Sequence, residues 1–459
     1  METIGILGGG PAGYVAAITA AQQGADVILF EQATLGGTCL NEGCMPTKTL
    51  LESAGRYRDI READKFGIRV NKEAVSIDWS SLLERKNAIV SRLVQGIQYL
   101  MKKNKIKIVQ GKAAFQSPHV VLAETANGTV EIKADQFIIA TGSEPSSLPF
   151  APFDGNWIID STQAMSLPGL PPSLVIVGGG VIGCEFASIY SRLGTKVSII
   201  EMAPHILPGE DADIANILKE QLEKDGVDIY TSAAVKKLDR DKKCALIEQE
   251  GETREIYGEY VLVSIGRKPS VNGIGLENAG VAYEKSGIKV NEKMQTNIPH
   301  IYACGDCIGG IQLAHVAFHE GKVAALNACG MEASADYKAV PRCIYTFPEI
   351  AGTGLTEKQA KEMYGAVRIG EFPFSANGKA MISGEQVGKV KVIIEPEYEE
   401  VVGLSICGPH ATELVGQGVL MLNGEMTADL LERLIAAHPT VSEAIHEAVL
   451  NAQGHPVHV

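Results

Sequence analysis

A repeated nucleotide-binding pattern constrains the fold of this chain more than any other feature. The same layout of short strand, glycine-rich turn, helical run, second strand and closing acid occurs in TIGILGGGPAGYVAAITAAQQGADVILFE and in SLVIVGGGVIGCEFASIYSRLGTKVSIIE. One constant offset relates the key positions, which are Gly8, Gly10, Gly13 and Glu31 in the first copy and Gly178, Gly180, Gly183 and Glu201 in the second. A glycine-rich turn in an unrelated βαβ unit could mimic one copy. Two matching copies predict two Rossmann-like dinucleotide-binding domains in an α/β protein.

Each residue type in this pattern has its own physical role. The first glycine permits a tight turn, the second lets the backbone approach a pyrophosphate, and the third lets helix and strand pack closely. The closing acid accepts hydrogen bonds from a ribose hydroxyl. Because the carboxylate of Glu201 would repel a ribose 2′-phosphate and no arginine follows it immediately, the second site is predicted to take NAD rather than NADP. Two dinucleotide sites in one chain imply electron transfer between two cofactors.

Two segments that run from a strand into a turn mark the domain boundaries. They are FIIATGSEPSSLP, which ends in a linker rich in serine and proline, and YVLVSIGRKPS. They predict that one dinucleotide-binding domain, residues 148–266, is inserted in the other, which comprises residues 1–147 and 267–337. Residues 338–459 lack a glycine fingerprint and alternate short strands with helices, so we expect a C-terminal α+β domain that serves as an oligomer interface.

The charge balance limits the kinds of partner. The 459 residues include 41 Lys plus Arg and 55 Asp plus Glu, a formal net charge of -14. This acidity argues against nucleic acid or an anionic membrane as partner and favours a basic protein surface. No apolar run approaches the roughly 20 residues of a membrane span, and the N-terminal segment lacks the basic start of a signal peptide. We therefore expect a cytoplasmic protein.

Two cysteines in GGTCLNEGCMPTK, Cys39 and Cys44, are candidates for a metal clamp, a structural staple or redox work. Zinc would need more ligands, which Cys304 and Cys307 in CGDC could offer, but the spacing of the first pair is wide for zinc. A disulfide across so short a loop would remove little chain entropy. A helix predicted to begin at or near Pro46 would place Cys44 by a helix N-terminus, where the dipole favours a thiolate. The pattern favours redox work.

This segment resembles the redox-active segment of the flavin-dependent pyridine nucleotide–disulfide oxidoreductases. The resemblance runs the length of the chain through further motifs in the order of the family: IIATGS, SIGRKPS, YACGDC, LAH, YTFPEIAGTGLTE, FSANGKAM, GPHATEL and AAHPTVSEA. The members that oxidise dihydrolipoyl groups are the most similar. The resemblance implies FAD at the first glycine fingerprint and NAD at the second.

The resemblance also implies the catalytic residues. Cys39 and Cys44 would form a disulfide in which Cys44 lies next to the flavin and Cys39 exchanges with substrate. His438 would be the general base, since an imidazole suits proton transfer near neutral pH, and Glu443 would orient it. TVSE also fits a helix capping box from Thr440 to Glu443, and taken alone His438 would be an ordinary turn histidine.

Cofactor positions follow from the same resemblance. Lys48 would lie by the flavin and pair with Glu185, and the backbones of Ala113 and Val235 would approach FAD and NAD respectively. The positions implied for FAD are Gly8, Gly10, Pro11, Ala12, Gly13, Glu31, Gly37, Thr38, Lys48, Ala113, Thr141, Gly142, Asp306 and Ala314. Those implied for NAD are Gly178, Gly180, Val181, Ile182, Gly183, Glu185, Glu201, Val235, Gly266 and Arg267. No metal is implied.

The chain departs from the family pattern at Cys307, where an apolar residue is expected, and at Val316 and Phe318, where polar residues are common. The other cysteines are expected to be small buried apolar residues: Cys184, Cys244, Cys329, Cys343 and Cys407. None of these departures removes a predicted catalytic group. Extra redox sensitivity at Cys307 is one consequence to consider.

The resemblance implies an enzyme that oxidises dihydrolipoyl groups carried by an acyltransferase or a lipoyl carrier protein and reduces NAD⁺. The active form would be a homodimer whose active sites are shared between subunits. Because the chain starts directly at the flavin fold, no lipoyl domain of its own is expected. A reductase of another low-molecular-weight disulfide is the nearest alternative, and a nucleotide-binding scaffold without catalysis is a second one.

Overall fold

A computed structural model describes residues 2–458 of the chain. The chain forms two compact units, each assembled from three separate segments. The first unit contains residues 1–49, 80–146 and 266–336, and the second contains residues 50–79, 147–265 and 337–459. The finer division into the four predicted domain segments stays a prediction.

The first unit is built on a parallel five-stranded sheet. Its strand order is Ile301–Ala303, Gln136–Ile139, Thr3–Leu7, Asp26–Glu31 and Lys107–Gln110. Four of the five residues in the central strand Thr3–Leu7 are buried, as expected for a parallel sheet covered on both faces. The helices of this unit are Pro11–Gln22, Gly37–Asn41, Leu276–Ala279 and Ala314–Ala328, with a 3₁₀ turn at Gly305–Ile308.

Smaller sheets complete the first unit. Three antiparallel strands, Lys112–Ser117, Val120–Thr125 and Gly128–Lys133, form one of them. Two-stranded antiparallel pairs join Ser143–Pro145 to Arg267–Pro269 and Tyr283–Glu284 to Gly287–Ile288. Two long helices, Cys44–Arg61 and Trp79–Lys103, have residues assigned to each unit. The second of these helices, Trp79–Lys103, is 25 residues long.

The second unit contains another parallel five-stranded sheet. Its strand order is Asp228–Tyr230, Lys196–Ile200, Ser173–Val177, Tyr260–Val263 and Ile158–Ile159. Three antiparallel strands, Ala233–Asp239, Cys244–Gln249 and Glu252–Tyr257, come between the sheet strands Asp228–Tyr230 and Tyr260–Val263 in the chain. The helices of this region are Ser161–Ala164, Val181–Arg192 and Ala212–Lys224. The central strand, glycine turn and helix repeat the arrangement of the first unit. The predicted pair of dinucleotide-binding folds is confirmed.

An antiparallel sheet forms the C-terminal part of the second unit. Its strand order is Arg342–Ile344, Glu349–Gly354, Val401–Gly408, Lys389–Ile394 and Arg368–Pro373. The accompanying helices are Glu357–Tyr364, Gly378–Ser383, Ala411–Asn423, Ala428–Glu432 and Glu443–Ala452, and 3₁₀ turns lie at Ala63–Phe66 and Phe374–Ala376. The predicted α+β character of this region is confirmed. Between residues 2 and 458, no helix combines the length and apolarity that a bilayer span requires.

Candidate active site

The two glycine turns have the geometry that a dinucleotide-binding fold needs. Gly8 has a φ of 105°, and a Cβ added there would lie 2.2 Å from the carbonyl oxygen of Ala140. A Cβ at Gly13 would lie 1.8 Å from the carbonyl oxygen of Gly8. Glycine is therefore required at both positions for the turn and for close packing of helix against strand. Gly178 and Gly183 repeat these constraints in the second unit.

The middle glycines of the two turns differ from their neighbours. Gly180 has a φ of -75°, and an added Cβ would meet no atom within 4 Å. Gly10 has a φ of -74°, and its Cβ would make only an ordinary 3.8 Å contact with Gly37. Neither the backbone conformation nor protein packing demands glycine there. The space that a side chain would fill lies at a helix N-terminus that has no side-chain cap, which suits the close approach of a pyrophosphate.

The closing carboxylates brace these turns. Glu31 accepts hydrogen bonds from the N–H of Gly9 at 2.8 Å and from the N–H of Ala33 at 2.7 Å, one on each oxygen. Glu201 accepts from Gly179 at 2.6 Å and from Ala203 at 2.7 Å in the same way. Because two carboxylate oxygens together have about four acceptor positions, capacity remains for ribose hydroxyls. The residues present therefore fit a dinucleotide at each turn.

The two candidate redox thiols lie in the first unit. Cys39 is on the short helix Gly37–Asn41, and Cys44 is the first residue of the helix Cys44–Arg61. That helix begins two residues before the predicted start at Pro46, so Cys44 lies in its first turn. Both residues are half-buried, and their side chains are hydrogen-bonded to each other. The Cys39–Cys44 disulfide stays a prediction.

The charges around Cys39 identify its neighbours. The hydrogen bond with Cys44, burial and the negative charge of Asp306 all raise the pKa of Cys39, whereas the positive charge of Lys48 lowers it. The same thiol contributes, after burial, to raising the pKa of Tyr14 to about 12. The Cys39 thiol thus has a positive charge, at Lys48, and a negative charge, at Asp306, among its neighbours in the unit that carries the first glycine turn.

His438 and Glu443 form a pair in the second unit. His438 Nδ1 lies 2.9 Å from one oxygen of Glu443, and the N–H of Thr440 donates to the other oxygen at 2.7 Å. Burial raises the pKa of Glu443, but these hydrogen bonds outweigh it and hold the pKa below its usual range. A carboxylate only accepts hydrogen bonds, so Nδ1 carries the proton and Nε2 of His438 is left as the basic nitrogen.

The two interpretations of TVSE coexist in this geometry. Glu443 makes the backward hydrogen bond of a capping box to Thr440 and also orients His438. The helix itself begins at Glu443 with Ser442 as its N-cap, and the hydroxyl of Thr440 donates to Ala437 instead. The box is therefore only half formed. The two carboxylate oxygens divide the two roles between them.

The remaining predicted FAD positions lie in the first unit. Pro11 and Ala12 open the helix Pro11–Gln22, and Gly37 and Thr38 open the helix Gly37–Asn41. Ala113 pairs with Ala123 in an antiparallel ladder. Ala314 is the first residue of the helix Ala314–Ala328.

A buried thiol connects two other predicted FAD segments. Cys307, next to Asp306, is completely buried. Burial raises the pKa of the Cys307 thiol to about 11 although hydrogen bonds from Thr141 and Gly142 lower it. The segments 141–142 and 306–307 are therefore joined directly through this sulfur.

The predicted NAD positions are divided between the units. Val181 and Ile182 open the helix Val181–Arg192 in the second unit, and the buried carboxylate of Glu185 on that helix accepts from the N–H of Tyr345 at 3.1 Å. Val235 lies at a bulge in the strand Ala233–Asp239. Gly266 and Arg267 belong to the first unit. The expected Lys48–Glu185 pair stays a prediction.

Sequence reasoning missed two residues of this region. Tyr14 lies beside Cys39, and its position directly after Gly13 was the only available signal. Ser143 donates a hydrogen bond to Asp306, which is 163 residues later in the sequence, and no local sequence pattern predicts that contact.

The other cysteines divide into two groups. Cys184, Cys244 and Cys407 are buried as expected, whereas Cys329 and Cys343 are only half-buried, so the expectation of burial is wrong for these two. Cys329 follows the end of the helix Ala314–Ala328, and Cys343 lies on an outer strand of its sheet. In the described part of the chain, no three His, Cys, Asp or Glu side chains are arranged to hold a metal.

Comparisons with known proteins agree with this geometry. Residues 2–321 match the family model of the pyridine nucleotide-disulphide oxidoreductases, and residues 340–449 match the dimerisation domain of these enzymes. Dihydrolipoyl dehydrogenase from Bacillus subtilis is 56% identical over 456 residues, which are 99% of this chain and 100% of that protein. Dihydrolipoyl dehydrogenase from Geobacillus stearothermophilus is 39% identical and covers 100% of this chain and 97% of its own.

Two solved structures share the whole fold. LpdA from Mycobacterium tuberculosis has a TM-score of 0.90 at 30% identity, with 98% of this chain and 99% of that chain covered. The HOCl-induced flavoprotein disulfide reductase RclA from Escherichia coli, solved as a Cu(II) complex, has a TM-score of 0.86 at 28% identity, with 98% of each chain covered. The similarity therefore extends over both units and the C-terminal sheet. The chain belongs to the pyridine nucleotide–disulphide oxidoreductase family.

Proposed function

We propose that this chain oxidises protein-bound dihydrolipoyl groups to the lipoyl disulfide and that the electrons pass through FAD to NAD⁺. The observation that carries the proposal is the Cys39–Cys44 pair, with Cys44 in a first helical turn, in the same unit as the first glycine turn. Relatives that are 56% and 39% identical along their whole length carry the name dihydrolipoyl dehydrogenase. These relatives favour lipoyl chemistry over the reduction of another disulfide.

The thiol chemistry begins from the oxidised Cys39–Cys44 pair. His438 accepts a proton from one dihydrolipoyl thiol, and the resulting thiolate attacks Sγ of Cys39. The Cys39–Cys44 bond breaks, and Cys44 departs as a thiolate. The second dihydrolipoyl thiol then releases its proton to solvent and attacks the substrate sulfur bonded to Cys39. This step closes the lipoyl disulfide and releases Cys39 as a thiolate, so two protons and two electrons leave the substrate.

Two features of the chain support these roles. Cys44 lies in the first turn of an 18-residue helix, whose dipole stabilises a thiolate. The hydrogen bond from Nδ1 of His438 to Glu443 leaves Nε2 to accept the substrate proton. FAD, when bound, takes up the two electrons of the dithiol and transfers them as a hydride to NAD⁺. The FAD and NAD positions and the domain segments named from the sequence are part of the same proposal.

The proposal includes a homodimer whose active sites combine residues of two subunits. The match of residues 340–449 to a dimerisation domain supports the dimer. A dihydrolipoyl-bearing acyltransferase or lipoyl carrier protein is the partner, and the formal charge of -14 favours a basic docking surface on it. We place the protein in the cytoplasm, where a reducing environment keeps the other cysteines as thiols.

Substitution of the exchanging thiol tests the function. Cys39→Ser should abolish dihydrolipoamide oxidation and leave the FAD content unchanged, since the attacked sulfur is gone while the glycine turn is intact. Cys329→Ser, which changes another half-buried cysteine of the first unit, is the matched control and should retain activity. Full lipoamide activity in Cys39→Ser would exclude the proposed exchange.

A subunit-mixing experiment tests the shared active site. Neither Cys39→Ser nor His438→Ala should be active as a homodimer. A mixed dimer of the two variants would contain one intact site if His438 serves the thiols of its partner, so re-associated protein should recover about a quarter of the wild-type rate. If base and thiols act within one subunit, mixing would recover nothing.

A further inference from the structure

The hydroxyl of Ser143 lies between two charged residues in the first unit. It donates a hydrogen bond to Oδ2 of Asp306 at 2.5 Å. It accepts a hydrogen bond from Nε of Arg267 at 2.7 Å. Nη2 of Arg267 also donates to the main-chain oxygen of Ser143 at 2.7 Å. One small side chain thus bridges a guanidinium and a carboxylate that are 39 residues apart in the sequence.

The surrounding backbone fixes Ser143 in this position. Its strand Ser143–Pro145 pairs antiparallel with Arg267–Pro269, and Ser143 lies opposite Pro269. The hydroxyl of Thr141 donates to the carbonyl oxygen of Ser270 at 2.7 Å, and the N–H of Ser270 donates to Gly142 at 2.9 Å. The two chain segments are therefore tied together next to the Ser143–Arg267 contact. The serine has little freedom to follow a moving partner.

A second attachment joins this segment to the one that carries Asp306. The buried thiol of Cys307 donates to the carbonyl oxygen of Ile139 at 3.4 Å, and Thr141 and Gly142, directly before Ser143, also lie within reach of this sulfur. The segment 141–143 thus contacts both Asp306 and its neighbour Cys307. Asp306 cannot shift away from Ser143 without disturbing the buried Cys307 as well.

The two charged residues are proposed contacts of different cofactors. Asp306 is a proposed FAD contact, and Arg267 is a proposed NAD contact. Both are hydrogen-bonded to the same hydroxyl, and hydrogen bonds to charged groups are stronger than neutral ones. Without that hydroxyl, Asp306 would lose a hydrogen-bond donor and Nε of Arg267 would lose its acceptor, so neither side chain would be held as it is now.

We propose that Ser143 is a positioning residue that holds Asp306 ready for FAD and, through Arg267, couples the FAD site to the NAD site. The inference rests on the proposed function for the identity of the two cofactors. Its hydroxyl donates to one oxygen of Asp306 and accepts from Nε of Arg267. Ser143 touches neither cofactor in this account and acts only through its two neighbours.

The test compares Ser143→Ala with Ser143→Thr. Apoprotein of each variant is titrated with FAD, and the dissociation constant is read from flavin fluorescence. Loss of a hydrogen bond to a charged group predicts an FAD dissociation constant about tenfold higher or more in Ser143→Ala. Ser143→Thr keeps the hydroxyl on a strand position that tolerates β-branching, so it should stay within about threefold of wild type. Equal FAD affinity in Ser143→Ala and wild type would overturn the proposal, as would equal losses in both variants.

Arg267→Lys provides a measurement that does not depend on Ser143→Ala folding. Lysine cannot donate to the hydroxyl and the carbonyl oxygen of Ser143 in the same fixed fork. FAD affinity should fall several-fold and the KM for NAD⁺ should rise, although Arg267 is not itself a proposed FAD contact. A change in the KM for NAD⁺ alone would refute the coupling. Wild-type protein that binds no FAD would contradict the proposed function itself, whereas FAD-binding wild type with unaffected variants contradicts only the role of Ser143.

Discussion

The middle glycine of the second turn, Gly180, tests whether this turn binds a dinucleotide, because neither its backbone conformation nor the packing around it requires a glycine. Gly180→Ala adds a Cβ that meets no atom within 4 Å, at a φ of -75° that alanine adopts freely. Gly183→Ala, three residues later, would place its Cβ 2.0 Å from the carbonyl oxygen of Gly178. The two substitutions add the same methyl group to one turn of one helix. Only the second collides with the protein.

The expected free energies differ accordingly. At an N-cap, alanine is about 1 kcal/mol worse than the favoured caps, and the reduced entropy of the unfolded chain offsets part of that cost. Gly180→Ala should therefore change the free energy of unfolding by less than about 1 kcal/mol. Gly183→Ala forces main-chain atoms apart and should cost about 3 kcal/mol or more. A methyl group at Gly180 blocks the pyrophosphate, so NADH affinity should fall about ten- to hundredfold, or roughly 1.4–2.7 kcal/mol.

Denaturant unfolding and NADH titration on the same preparations separate these effects. Gly180→Ala should match wild type in unfolding and FAD content and lose only NADH affinity, whereas Gly183→Ala should lose stability first. Gly10→Ala and Gly13→Ala are the corresponding pair for FAD. Wild-type NADH affinity in Gly180→Ala would refute the assignment of the second turn to a dinucleotide. Stability loss equal to that of Gly183→Ala would refute the steric reasoning.

Three further predictions concern the second unit. Glu443→Gln should lower kcat about a hundredfold or more in steady-state assays with little change in FAD content, because a neutral amide does not stabilise the His438 imidazolium as a carboxylate does. An unchanged kcat would show that His438 needs no anionic partner. Lys391 is 1% exposed and contacts Asp213 at 2.7 Å and Glu357 at 2.9 Å, so Lys391→Met should lower the free energy of unfolding in urea by about 3 kcal/mol. Lys361→Met, which removes the exposed Lys361–Glu357 pair, should lower it by less than about 1 kcal/mol. Equal losses in the two variants would contradict the role of burial. In Asp213, burial raises the pKa but hydrogen bonds from Lys389 and Lys391 lower it below its usual range, and in Glu357 hydrogen bonds from Lys361 and Lys391 do the same. Carboxylates of lowered pKa stabilise the fold above the unfolded pKa of about 4, and they lose that contribution as the pH falls through the folded pKa. The difference in free energy of unfolding between wild type and Lys391→Met should therefore become smaller below about pH 4. A constant difference down to pH 2 would contradict the ion pairing.

The fold was largely predictable because its constraints are local in sequence. Gly8 and Gly13 specify a turn and a close approach within a few residues, so the pattern can be seen without knowledge of distant contacts. The same holds for Cys44 in the first helical turn, where only the starting residue differed by two positions. Short-range steric rules thus determined both dinucleotide folds.

The rest of the candidate site depends on contacts that sequence spacing does not encode. Ser143 meets Asp306 across 163 residues, and Tyr14 meets Cys39 only after the first unit has folded. The division of Glu443 between Thr440 and His438 depends on which oxygen faces which donor, a matter of side-chain geometry. Tertiary packing, which a single sequence does not reveal, decides all three.

Anaerobic incubation of the flavin-loaded protein with dihydrolipoamide and NAD⁺ tests the central claim most directly. NADH should form in equal amount to the dihydrolipoamide consumed, Cys39→Ser should form none, and NADP⁺ should be a much poorer acceptor because Glu201 excludes its 2′-phosphate. Failure of the wild-type protein to form NADH from dihydrolipoamide, with FAD bound and both thiols intact, would contradict the account.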